Sequence, residues 1–115
     1  MTDADTSDLI ARFNEAWGAH DLDATLALCA DDVLFESTGP APDGERHDGQ
    51  TAVRAAWKPI FEDAGANFTA EDAFAAGDRY VQRWRYDWGD GHVRGVDVFL
   101  VRDGKVAEKF SYVKG

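Results

Sequence analysis

The sequence predicts an α+β domain in which a curved sheet wraps around helices. Three observations carry that expectation. Apolar residues recur at helical spacing near the N-terminus and again in the middle, the last third alternates with a period of two, and Gly/Asp turns split that alternation into an antiparallel meander. At 115 residues the chain suits a single domain over residues 1–115, long enough for one core and too short for two.

The elements follow in order. From Ser7 to Trp17, Leu9, Ile10, Phe13, Ala16 and Trp17 form one apolar face, with Ser7 as N-cap and Gly18 near the end. Asp21 caps a shorter helix in "DLDATLALCA", with Leu22, Leu26 and Cys29 on one side. "DDVLFESTG" alternates Val33, Phe35 and Ser37 against Leu34, Glu36 and Thr38, which reads as a strand, and "PAPDGERHDG" reads as a loop. A third helix starts near Gln50 and presents Val53, Trp57, Ile60 and Phe61; Pro59 predicts a kink or an early end. A strand in "NFTAEDAFA" precedes three more, "DRYVQRWRYDW", "HVRGVDVFLV" and "KVAEKFSYV", turned at "GDG" and at Asp103-Gly104. In the first of these three, Tyr80, Gln82, Trp84, Tyr86 and Trp88 share the face expected to be buried.

Twenty-two acidic against twelve basic residues give a net charge of -10, with no basic cluster to follow a phosphate backbone, so neither nucleic acid nor an anionic membrane is an expected partner. No apolar run approaches the roughly 20 residues that span a bilayer. The first residues lack the pattern of a signal peptide and the single cysteine, Cys29, has no internal partner, which points to a reducing cytoplasm and a structural thiol. The three histidines have no metal-ligand spacing, so no metal is expected; His20 and His92 are expected to face solvent.

Asp97 breaks the pattern. It lies between Val96 and Val98 in a run that otherwise reads as a buried strand, sharing a face with Phe99 and Val101. A carboxylate costs several kcal/mol to bury unpaired, so Asp97 is paired, protonated, or lines a cavity as an acid or base.

"ARFNEAWGAHDLDATLALCADDVLFES", with the terminal "GVDVFLVRDGKVAEKFSYV", resembles the nuclear transport factor 2-like superfamily, in particular its SnoaL-like and ketosteroid isomerase-like branch. The resemblance implies a cone-shaped α+β barrel: three helices packed in the concave face of a bent, mainly antiparallel sheet, with a pocket at the open end. It also implies candidate positions. The late-strand aspartate of the ketosteroid isomerases matches Asp97, whereas Phe13 stands where they carry a tyrosine and Ser37 where they carry the base. Phenylalanine cannot donate a hydrogen bond and serine is no base near neutral pH, so isomerisation by that route is not expected. The catalytic aspartate of SnoaL-like cyclases matches Ser111, and of the Asp-Arg-Asp set of limonene epoxide hydrolases only the late aspartate is matched, by Asp97.

The candidate catalytic residues are therefore Asp97 and, from the loop before the third helix, His47, placed to swing over the pocket mouth as a base. The candidate ligand contacts are Phe13, Trp17, Phe35 and Ser37 from the first half, Trp57 and Phe61 from the third helix, and Trp84, Tyr86, Trp88, Phe99 and Ser111 from the final strands. An aromatic pocket of this kind suits a small, apolar, ring-bearing molecule. The expected activity is cofactor-independent proton transfer in an isomerisation, cyclisation or dehydration; the alternative is a non-catalytic binder of an apolar metabolite or a dimeric interaction module. Alternation on the last strand buries Phe110 and Tyr112, whereas the resemblance turns Lys109 and Ser111 inward. A strand covered on both faces reconciles the two and predicts a homodimer through the outer sheet face, where Val96, Val98 and Leu100 also lie.

Overall fold

The computed structural model describes residues 2–115. Helix α1 spans Asp3–Gly18, α2 Leu22–Ala27 and α3 Gly49–Glu62; the strands are β1 Cys29–Glu36, β2 Arg46–Asp48, β3 Asn67–Ala76, β4 Arg79–Asp87, β5 His92–Arg102 and β6 Lys105–Val113. The six strands form one sheet in the order β2-β1-β6-β5-β4-β3. Only β1 and β6 run parallel, so the sheet is mixed, and β2 and β3 remain as edges. The sequence-predicted barrel is thus an open one, an α+β sheet with three helices packed on it.

Helix α1 begins four residues before the predicted Ser7 cap. Thr2 accepts from the Asp5 backbone N–H at 3.1 Å while the Asp5 carboxylate accepts from the Thr2 N–H, and Asp3 and Asp5 favour the positive end of the helix. The apolar stripe starts only at Leu9, so periodicity misses this polar first turn. The turn is anchored: the Thr6 hydroxyl donates to the Gly77 carbonyl at 2.6 Å and the Gly77 N–H donates to Asp3, which pins α1 to the β3–β4 turn.

Asp21 caps α2 as expected, its carboxylate accepting from the Ala24 N–H at 3.0 Å. Cys29, however, belongs to the start of β1 and not to the helix. Pro59 does not end α3, which continues to Glu62; the missing proline N–H only removes the partner of the Ala55 carbonyl. The loop read in "PAPDGERHDG" contains β2, which pairs Phe35 with His47. The tight β5–β6 turn is as predicted, with Asp103 at φ 54° and Gly104 at φ 74°.

The core fills the space between helices and sheet. Leu9, Ile10 and Phe13 of α1 and Val53, Trp57 and Phe61 of α3 meet Val33, Phe35, Phe99, Val101 and Val106 of the sheet. Trp57, fully buried, is the hub, with Phe13, Trp17 and Phe35 rings 5.1–5.9 Å away.

Candidate functional site

Sheet register puts the chemistry in two adjacent rows on the inner face. One row runs His47, Phe35, Lys109, Phe99, Tyr80 across β2, β1, β6, β5 and β4; the next runs Ser111, Asp97, Gln82. Residues opposite one another on paired strands share a face, so the β5–β6 hairpin brings Asp97 and Ser111 together. Asp97 is 1 % exposed, Lys109 5 % and Ser111 8 %. The Ser111 hydroxyl donates to Asp97 Oδ1 at 2.7 Å, and Lys109 Nζ donates to Ser111 Oγ at 2.8 Å and to Asp97 Oδ1 at 3.4 Å. The question posed by Asp97 is answered by pairing: its charge is compensated by a lysine on the neighbouring strand.

The other carboxylate oxygen is held from the opposite side. Gln82 Nε2 donates to Asp97 Oδ2 at 3.4 Å, and the Gln82 amide exchanges two hydrogen bonds with Asn14 of α1, at 2.8 and 3.2 Å. Lys109 is enclosed by rings: its Nζ lies 4.8 Å from the Trp17 ring centre, 5.2 Å from Phe35 and 6.0 Å from Phe99. These faces favour a cation there.

Above this floor opens a cavity of about 520 Å³ whose wall includes Asp97, Lys109, Ser111 and Gln82 together with Phe13, Trp17, Phe35, Ser37, His47, Phe68, Trp84 and Tyr86. The volume lies in the range of small-molecule sites, roughly 300–1,000 Å³. His47 reaches it because β2 sets the imidazole parallel to Phe35, ring centres 5.7 Å apart. Burial, and secondarily nearby Asp63, pushes the Tyr86 phenol above its ordinary value, so it remains a hydrogen-bond donor at neutral pH. Ser37 is already occupied: its hydroxyl donates to the Gly39 carbonyl at 2.8 Å and accepts from the Glu45 N–H at 3.0 Å, clasping the loop that leads to β2.

Four sequence-predicted contacts fall outside this wall. Trp57, Phe61 and Phe99 are core residues beneath it. Trp88 is 44 % exposed, because β4 ends at Asp87, whose carboxylate accepts from the Gly89 N–H at 2.9 Å and turns the chain away. His20 differs from its expected solvent position as well: half-buried, its Nδ1 lies 3.0 Å from the Phe61 carbonyl. Sequence reasoning did not single out Lys109, Gln82 or Asn14 as site residues. Gln82 carried a readable signal, a lone amide on an otherwise aromatic strand face.

A second depression of similar volume lies between α2, the start of α3 and the β5–β6 turn. Its cations are spent on other groups: Arg54 pairs with Asp23 at 2.7 Å, Arg102 pairs with Asp32, and Lys105 donates to the Ala27 carbonyl at 2.7 Å. It lacks the aromatic walls and the buried charge of the first cavity. Among the described residues no group of three or more His, Cys, Asp or Glu is disposed to hold a metal ion, and no helix is long and apolar enough to cross a membrane.

Two positions, Cys29 and Gly95, yield direct predictions. Burial pushes the Cys29 thiol up to about 12 from 9.0, against smaller opposing effects of Lys109 and Lys105, and its Sγ donates to the Thr25 carbonyl at 3.5 Å. Between those two values the folded chain keeps a proton that the unfolded chain releases, so this thiol makes stability fall as pH rises through that window. At mildly alkaline pH, Cys29 of the native protein is expected to resist a thiol reagent and to react at once in urea; rapid native reaction would contradict its placement. Gly95 sits opposite Trp84, and a Cβ there would lie 2.2 Å from the Tyr112 carbonyl oxygen and 2.4 Å from the Trp84 ring. Gly95→Ala should cost about 1–3 kcal/mol in urea unfolding and shift tryptophan emission, since backbone and ring must both move.

Fold and site together define an open-cone α+β protein with an aromatic cavity floored by a buried ion pair. A SnoaL-like domain profile matches residues 10–109, and the chain belongs to the SnoaL-like domain family of the nuclear transport factor 2-like superfamily. Among solved structures it is similar to a nuclear transport factor 2-like protein of unknown function from Mesorhizobium loti (42% identity, TM-score 0.90, covering 98% of this chain and 93% of that one). It also shares its fold with a provisionally named ketosteroid isomerase from Kribbella flavida DSM 17836 (20% identity, TM-score 0.84, 98% and 80% covered). The same holds for a provisionally named polyketide cyclase from Sinorhizobium meliloti (21% identity, TM-score 0.79, 96% and 99% covered). No curated protein matches the sequence.

Proposed function

We propose that the protein binds a small, apolar, ring-bearing molecule and catalyses cofactor-independent proton transfer on it, of the isomerisation, cyclisation or dehydration type. The observation that carries this is the Asp97–Lys109 pair, buried yet forming part of the cavity wall. An ammonium has three N–H groups, and Asp97 and Ser111 use two; the third is free to donate to a ligand oxygen. Such a donor gains strength as a carbonyl becomes an enolate, which is the differential stabilisation that accelerates proton removal. Asp97 and Gln82 then position Lys109, and His47 is the group placed to take the carbon-bound proton. Trp84 supports an oxygen-bearing ligand, because its buried indole N–H finds no acceptor among the described residues.

The test is deuterium uptake at the α-carbon of a panel of ring ketones, followed by NMR. Lys109→Met and His47→Gln should each slow it by roughly 10²–10⁴-fold. Equal rates in wild type and both variants would leave the second reading, a non-catalytic binder, which Phe13, the occupied Ser37 hydroxyl and Ser111 at the family's catalytic positions favour.

A second copy of the chain is the proposed partner. On the outer sheet face Phe74, Val81, Val98 and Phe110 form one apolar line across four paired strands, with Phe74 62% exposed and nearby Tyr112 51% exposed. Packing two such faces removes them from water. Sedimentation should give a dimer at micromolar concentration and a monomer for Val98→Asp; a wild-type monomer would remove the proposal. The single buried, free Cys29 supports a reducing, cytoplasmic setting.

A further inference from the structure

We infer that Lys109 captures carbonyl compounds covalently, forming an imine with an aldehyde or ketone that enters the cavity. This rests on the cavity being a ligand site, as proposed above, and names the functional group the ligand must carry. Of the four lysines, Lys58, Lys105 and Lys114 are exposed, and only Lys109 is buried and part of the cavity wall. Its Nζ has a carboxylate at 3.4 Å and a hydroxyl at 2.8 Å, groups that accept and return protons at the distance imine formation requires. A lysine desolvated by apolar walls beside a proton acceptor is the setting in which the amine acts as a nucleophile toward carbonyls.

The steps balance without oxidant or reductant. Lys109 passes one ammonium proton to Asp97, and the free amine attacks the carbonyl carbon, forming the C–N bond and pushing the C=O π pair onto oxygen, which takes the proton back from Asp97. Asp97 then accepts a second proton from nitrogen and delivers it to the hydroxyl, which leaves as water while the nitrogen lone pair closes the C=N bond. The ammonium and carbonyl have become an iminium and one water. Nitrogen is cationic at the start and at the end, so the Trp17, Phe35 and Phe99 faces and the Asp97 carboxylate that hold the ammonium hold the iminium equally well. The ring cage therefore opposes only the transient neutral amine and not the product.

Reductive trapping tests this on the full-length wild-type chain. With 2-naphthaldehyde and cyanoborohydride, peptide mapping by mass spectrometry should find the reduced adduct on Lys109 at least about tenfold faster than on Lys58, Lys105 or Lys114. Labelling of the exposed lysines with Lys109 unmodified overturns the inference. A parallel titration with 2-naphthalenemethanol, the same rings without the carbonyl, separates the two levels. If the alcohol quenches tryptophan fluorescence saturably while Lys109 stays unlabelled, the imine is wrong and the ligand site stands; if neither occurs, both fall.

Discussion

Replacing Asp97 by alanine should destabilise the protein by about 3–5 kcal/mol, read as a lowered urea midpoint, because it strands the Lys109 charge 95 % out of solvent among three rings. The partner change tells the mechanism. Asp97→Leu combined with Lys109→Met removes both charges and keeps much of the volume, so the double variant should recover most of that loss. Buried ion pairs owe little net stability to their attraction, since desolvation of both ions offsets it, but breaking one partner exposes the whole cost. If Asp97→Ala is neutral, or the double variant no better than the single, the pair is not the buried contact described.

Trp57→Ala is the second large effect, about 3–5 kcal/mol. Trp57 is fully buried and holds the rings of Phe13, Trp17 and Phe35 edge-on, so its loss opens a void directly beneath the cavity wall. A chain of this size has only about 5–15 kcal/mol of stability in total, so the variant should unfold cooperatively at much lower urea. A shift below about 1 kcal/mol would mean that Trp57 contacts a ligand-sized space and not a packed core.

The fold was legible because its signals are local: caps, periodicity and Gly/Asp turns lie within a few residues of what they specify. Asp97 was legible for the same reason, as a charge between Val96 and Val98. Its partner was not. Alternation alone turned Phe110 and Tyr112 inward and the family resemblance turned Lys109 inward instead, but neither paired Lys109 with Asp97; the β5–β6 register, which sets Asp97 against Ser111 and leaves Lys109 one step along the same face, does so. His47 was placed at the pocket, but as part of a mobile-looking loop, since a three-residue strand has too few positions to show alternation. Depth is the other hidden quantity. Phe35 and Phe99 flank Lys109 on the same row, yet Phe35 lines the cavity and the fully buried Phe99 does not, a distinction that strand parity cannot make. Trp88 shows the converse: its parity was right, but the strand stops one residue earlier.

The most direct measurement is of Lys109 itself, through the ε-CH₂ signals of the four lysines in a carbon–proton correlation spectrum as 2-naphthalenemethanol is added. Ring currents from Trp17, Phe35 and Phe99 should already displace one of the four upfield, and that signal, absent in Lys109→Met, should move saturably while the other three hold still. Four signals clustered at the positions of exposed lysines, or a displaced signal indifferent to every ring-bearing compound offered, would contradict a ligand site floored by Lys109 and Asp97.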